Sequence, residues 1–204
     1  NNPYPSYLPG NGQLALYDPL KDDSEGYHWL PTSTPSSSTL PGNCAFNGNG
    51  LDASVEGNSS NNVFFHPCIA STPAFSDFAY EVHMTLFAGD CGGVTLRGNG
   101  ESFYYFIVCQ DGQYRFVQYI NDQTPAVMLK KASSPSINMQ LNQDHFIAIC
   151  AKGTTMNLYL DGLLIDSIQD PSHSSGQIGV LVRSLNLNVR TEAIFSNARV
   201  WTLT

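Results

Sequence analysis

The constraint that most limits what this chain can become is the alternation that starts at Phe78. Phe78, Tyr80, Val82, Met84 and Leu86 are interleaved with Ala79, Glu81, His83 and Thr85. A period of two sends successive side chains to opposite faces, so this stretch reads as a half-buried strand with its aromatic and aliphatic set turned to a core. Further runs of the same kind follow to the end of the chain, punctuated by Gly98-Asn99-Gly100, Asp111-Gly112, Lys152-Gly153 and Asp161-Gly162. Short strands separated by turn signals at this spacing predict an all-β sandwich of antiparallel sheets. The 204 residues suffice for one such domain, and charged residues make up only 13%.

The hairpins can be put in register from the sequence. If Arg97 faces Phe103 across the turn at Asn99-Gly100-Glu101, then Cys91 faces Cys109, close enough for a cross-strand disulfide. At Asp111-Gly112 a two-residue loop and a three-residue loop give opposite alignments. The three-residue loop, with Gly112 in the left-handed conformation, places Val94, Leu96, Tyr104, Phe106, Val108, Tyr114 and Phe116 on one face, which is the consistent choice. The other face then carries Thr95, Arg97, Tyr105, Ile107, Arg115, Val117 and Tyr119. Asp161-Gly162 predicts another hairpin between 156–160 and 163–168.

Five cysteines leave one thiol unpaired within the chain. Cys44 and Cys68 flank a weak strand and lie in no Cys-x-x-Cys pattern, so a disulfide is preferred over zinc. Cys150 sits in the apolar run 146–151 and is expected as a buried free thiol. Two disulfides point to an oxidising, extracytoplasmic location. Residues 1–13, with Pro3, Pro5 and Pro9, read as an extended tether before a single domain over 14–204, and 31–42 as a long polar loop. Asn58-Ser59-Ser60 fits a glycosylation sequon but reads as an exposed turn. Trp29 is expected to anchor the N-terminal arm. The net charge of −8, with no concentrated basic face, excludes a phosphate-tracking nucleic-acid groove. No apolar run approaches the roughly 20 residues of a membrane helix, and with no signal-type segment the chain reads as a mature or excised soluble piece.

The order of several segments is similar to a known architecture. These are Leu16-Tyr17-Asp18-Pro19-Leu20, Phe75-Ser76-Asp77-Phe78-Ala79-Tyr80-Glu81-Val82 and Gly92-Gly93-Val94-Thr95-Leu96-Arg97, then the hairpin over 103–114. The run 149–161 follows, ending in Leu158-Tyr159-Leu160-Asp161-Gly162, then Gly176-Gln177-Ile178-Gly179-Val180 and the closing 195–201. Together they resemble the concanavalin A-like (laminin-G-like) jelly roll, in particular its 3-keto-disaccharide hydrolase-type branch. Within that branch the chain resembles C-terminal ectodomains of membrane-anchored bacterial Ser/Thr protein kinases, which share an Asn-Pro-Tyr-Pro-like tether and an Asp-Pro-Leu segment. The resemblance implies an extracytoplasmic sensor held to a membrane by a tether outside this chain.

Carboxylate catalysis finds little support. Glycosidases of this fold class use a Glu-x-Asp-x-x-Glu strand, and a retaining pair must stand about 5 Å apart. The sequence has no such triplet, and the next same-face position after Glu81 is His83. Glu81 and His83 share the non-core face of their strand and are carried as secondary site candidates, against the reading of a solvated polar pair. The histidines lack zinc spacing, and no Gly-x-Ser-x-Gly elbow occurs. Asp18, Asp22 and Asp23 are weak candidates for a structural calcium, against the reading of a solvated acidic turn; no other cofactor is implied. The best ligand site is the non-core face bearing Arg97, Tyr105, Arg115 and Tyr119, where rings could stack on a sugar and guanidinium groups hold its hydroxyls. Three functions remain in view: a non-catalytic carbohydrate-type binding or sensor module, a glycoside-processing enzyme, and an adhesion domain without a small ligand.

Overall fold

A computed structural model describes residues 3–30, 42–57, 65–186 and 188–204. Most of the polar loop expected over 31–42, and the sequon at Asn58, lie outside the described residues. Two antiparallel sheets face each other, with no helix among the described residues. Strands are numbered along the chain. The larger sheet runs β12 (Leu163–Gln169), β11 (Thr155–Leu160), β10 (Asp144–Lys152), β5 (Phe78–Ala88), β14 (Thr191–Leu203), β3 (Leu51–Val55), β2 (Gly42–Phe46). Strand β1 (Gly12–Asp18) also pairs with β14. The smaller sheet runs β4 (Phe65–Ile69), β13 (Gln177–Arg183), β6 (Cys91–Gly98), β7 (Phe103–Cys109), β8 (Gln113–Tyr119), β9 (Val127–Ser133).

The core follows from the alternation. Phe78, Tyr80, Val82, Met84 and Leu86 from β5 meet Val94, Leu96, Tyr104, Phe106, Val108, Tyr114 and Phe116 from the smaller sheet in one buried cluster. Cys91 pairs with Cys109, and Val108 with Tyr114, the registers expected from the two hairpins. Gly112 has φ of +79°, as the three-residue loop requires. Leu160 pairs with Leu163 across Asp161-Gly162. Both disulfides, Cys44–Cys68 and Cys91–Cys109, are formed, and Cys150 is free and buried.

The two lateral openings of the sandwich are closed by different chemistry. On one side the edge strands β2 and β4, from opposite sheets, are joined by Cys44–Cys68. On the other, a bulge between Leu158 and Tyr159 in the pairing of β11 with β12 sets Asp166 opposite the core residue Leu158. There Asp166 accepts a hydrogen bond from the Tyr114 hydroxyl at 2.5 Å and lies 3.7 Å from Lys130 of β9. The Tyr104 hydroxyl donates to Asp170 just beyond β12.

The N-terminal segment does not stand away from the domain as a tether would. Leu8 is buried with Ala79, Ala148, Cys150, Tyr159 and Trp201 on the outer face of the larger sheet, and Tyr4 and Tyr7 pack against the same cluster. The Tyr4 ring meets Trp201 edge-on at 5.8 Å, and the Tyr7 ring lies 5.5 Å from Tyr159. The tyrosines and leucine interleaved with the prolines supply apolar area that a bare sheet face can bury. Trp29 is buried as expected, held by its indole N–H donating to Asp18 at 2.8 Å.

Candidate functional site

The residues carried as ligand candidates are distributed over three places. Arg97 leaves the face first. It takes φ of +50°, which breaks the alternation of β6. Its guanidinium then donates to the carbonyl oxygens of Ser76, Gly153 and His173. Arg97 is therefore a clasp across one end of the sandwich, where a buried guanidinium is stable because three loops turn carbonyls toward it.

Tyr105, Arg115 and Tyr119 do lie on the outer face of the smaller sheet, but that face is closed. Arg97 is 0%, Tyr105 2%, Arg115 5% and Tyr119 8% exposed, so the expected open platform is corrected. Tyr105 and Tyr119 form a second apolar cluster with Phe103, Ile107, Val117, Leu181, Ile69 and the Cys91–Cys109 pair, with Phe65 and Leu185 packed on it. Phe65 stacks on Tyr105 at 5.9 Å and meets Tyr119 at 5.1 Å. The polar tips are spent internally. The Tyr105 hydroxyl accepts from Arg183 at 2.8 Å, Tyr119 donates to Asp122, and Arg115 reaches Asp111 at 3.1 Å. Burial pushes the Tyr105 hydroxyl above its ordinary titration range, and the Arg183 guanidinium opposes that only in part.

Glu81 and His83 occupy the outer face of the opposite sheet, as their alternation with the core residues requires. Glu81 is not solvated. It accepts the Tyr7 hydroxyl hydrogen bond and lies 3.8 Å from Arg199. Burial, reinforced by that carboxylate, raises the Tyr7 hydroxyl far above its usual range. His83 pairs with Asp144 at 2.8 Å. The two candidates thus have separate partners and share no reactive geometry.

The acidic triplet is also divided. Asp18 is buried, with one oxygen accepting the Leu20 N–H at 2.7 Å and the other the Trp29 indole. Asp22 caps Ser24, and Asp23 holds the His28 backbone and ring. Their oxygens serve local turns and one indole rather than converging on a common centre. Among the described residues the one grouping of metal-type ligands is elsewhere, at Cys44, His66 and Cys68.

An open site remains beside the N-terminal arm. A pocket of about 390 Å³ is bounded by Pro9, Gly10 and Asn11 of the arm, by Cys150, Lys152, Thr155 and Asn157 of β10 and β11, and by Leu203 and Thr204. Asn157 faces it because Met156 and Leu158 take the core side of β11. Its side-chain oxygen accepts from Ser167 at 2.7 Å, which leaves the amide N–H groups free of that bond. Lys152 donates to the Thr204 carbonyl at 3.1 Å. Cys150 contributes a thiol whose titration burial pushes upward. No Asp or Glu lines the pocket. Sequence reasoning missed this site because three of its nine lining residues belong to the arm; the available signal was the polar placement of Asn157 and Thr155 on a face otherwise lined by Ala148 and Cys150.

The fold is a concanavalin A-like jelly-roll sandwich, and solved structures match it over nearly the whole chain. The carbohydrate binding module CBM66 from Bacillus subtilis superimposes with a TM-score of 0.67 at 19% identity, over 86% of this chain and 96% of that one. A protein of unknown function with a galectin-like fold from the same organism gives 0.66 at 10% identity, over 94% and 96%. The catalytic domain of an endo-1,3-beta-glucanase (laminarinase) from Thermotoga petrophila gives 0.64 at 10% identity, over 96% and 99%. Carbohydrate-binding and glycosidase domains are thus both among its structural neighbours. No family model matches the chain, and no curated protein matches it.

Proposed function

We propose that this chain is a non-catalytic, extracytoplasmic binding module for a carbohydrate-type ligand, and that the ligand occupies the pocket between the N-terminal arm and strands β10 and β11. The observation that carries the reading is the lining of that pocket. Asn11, Lys152, Thr155 and Asn157 offer several hydrogen-bond donors and acceptors, while Pro9 and Leu203 offer apolar surface for sugar C–H groups. About 390 Å³ lies at the small end of the usual range for ligand sites, a size that fits one or two sugar rings. With no Asp or Glu side chain in the lining the pocket offers no carboxylate pair of the kind glycoside hydrolysis uses. The likeness to a carbohydrate binding module supports the choice of ligand class. The two disulfides support an oxidising compartment. The sequence resemblance to kinase ectodomains supports a parent protein that is a membrane-anchored Ser/Thr kinase, with this module as its sensor.

A glycan array followed by calorimetry with Asn157→Ala and Thr155→Val tests the pocket. The expected result is a several-fold loss of affinity in each variant, the melting temperature staying within a few degrees of wild type. Undiminished binding in both variants, or hydrolysis of the bound glycan, would overturn the proposal.

A further inference from the structure

Among the described residues, His66 is a buried polar side chain, 3% exposed, with both ring nitrogens unpaired. Buried polar groups are ordinarily paired, and leaving one unpaired costs about 1–3 kcal/mol. Something must compensate, or the ring must serve another state of the protein. Its surroundings indicate which state. His66 and Cys68 are two residues apart on β4 and so project from the same side of the strand. Cys44 reaches them from β2. A ring nitrogen of His66 and the two sulfurs all lie within 4.8 Å of one another. Gly42 makes room for the ring, since a Cβ there would stand 2.3 Å from it. A neutral imidazole offers a metal the lone pair of a ring nitrogen.

We propose that Cys44, Cys68 and His66 form a redox-gated zinc site: the disulfide is its closed form, and the dithiol binds one zinc ion with His66 as third ligand. Two thiolates and an imidazole are a donor set suited to zinc, and the fourth tetrahedral position is left to water. Cys44 is only half-buried, which gives the ion an approach from solvent. Opening requires a dithiol reductant. The Cys44–Cys68 bond takes up two electrons and two protons, while the reductant's two thiols lose them and join as its own disulfide. Zinc then displaces the two cysteine protons to solvent, and the neutral His66 ring binds through a nitrogen without proton release. In this arrangement the ion replaces the disulfide as the link between β2 and β4, so the sandwich keeps its lateral closure in both redox states.

The test uses the whole chain, with Cys91→Ser, Cys109→Ser and Cys150→Ser introduced together so that only this pair can respond. Tris(2-carboxyethyl)phosphine replaces the dithiol as reductant because it competes weakly for zinc. The reduced protein should bind one equivalent of zinc and give the thiolate charge-transfer and tetrahedral ligand-field bands with cobalt. Its melting temperature should rise with added zinc, and tryptophan near-ultraviolet circular dichroism should remain native. The oxidised protein should bind none. Adding His66→Ala should weaken zinc binding at least tenfold with both thiols still present. To separate ligation from folding, the same titration is run on the four-disulfide-cysteine parent lacking only Cys150. The proposal is overturned if the reduced chain takes up no zinc, if His66→Ala binds as tightly, or if reduction unfolds the protein and zinc fails to restore it.

Discussion

Substituting Tyr105 by alanine should damage the fold rather than any binding surface. The ring is buried on the outer face of the smaller sheet, between Phe65 and Phe103, and its hydroxyl accepts a hydrogen bond from Arg183. Deleting a buried aromatic side chain costs about 3–5 kcal/mol, because the lost transfer energy is joined by a cavity that neighbours fill only in part. Losing the bond to a charged donor adds at the low end of its usual 1.5–3 kcal/mol, since Arg183 is only half-buried and can turn to water. The sum is about 4.5–6.5 kcal/mol. In a domain of this size each kcal/mol corresponds to about 2–4 °C, so the melting temperature should fall by about 9–26 °C. Urea unfolding followed by the fluorescence of Trp29 and Trp201 supplies the free energy, with an unchanged slope showing that the denatured state is unaltered. Tyr105→Phe keeps the ring and should lose only the hydrogen-bond part. A Tyr105→Ala cost under about 0.5 kcal/mol, the usual range for a surface change, would refute the closed face.

Two further outcomes follow from buried polar groups. Arg97→Lys should cost several kcal/mol, because an ammonium cannot reproduce the guanidinium fork that serves Ser76, Gly153 and His173; an unchanged urea midpoint would argue against the clasp. The depressed pKa of His66 means that the unfolded chain binds a proton which the native chain refuses. Stability is then complete above the unfolded value near 6.5 and falls as the pH drops toward about 4, by about 3 kcal/mol in all; His66→Phe should flatten that part of the profile, and an identical profile in the variant would contradict it.

Much of the sandwich could be read from residue order because the informative rules act over a few residues. The alternation at 78–86 identified which side chains of β5 enter the core, and the turn at Asn99-Gly100 fixed the register that brings Cys91 to Cys109. The candidate site was less legible, for a physical reason visible at Tyr105. Alternation separates the two faces of a strand but carries no information about whether the second face is covered. That depends on groups distant in sequence, such as Phe65 and Leu181 here. Arg97 shows a second limit, since one residue with positive φ turned its side chain out of the expected row. The arm shows a third. Pro3, Pro5 and Pro9 exclude a helix, but whether Tyr4, Tyr7 and Leu8 dock depends on a complementary surface 70 to 200 residues away.

The unequal lateral closures give the sandwich a spine and a fore-edge. At β2 and β4 the sheets are bound covalently, whereas on the opposite side Tyr114 of β8 and Lys130 of β9 meet Asp166 of β12. A phenol–carboxylate contact can exchange its partner for water at little net cost, while a bond between sulfurs cannot. Transient opening should therefore hinge about Cys44–Cys68 and admit water first along the Asp166 side. With the disulfide intact, the leaves should part there and meet again in the same register, since the bound edge keeps one sheet from sliding past the other.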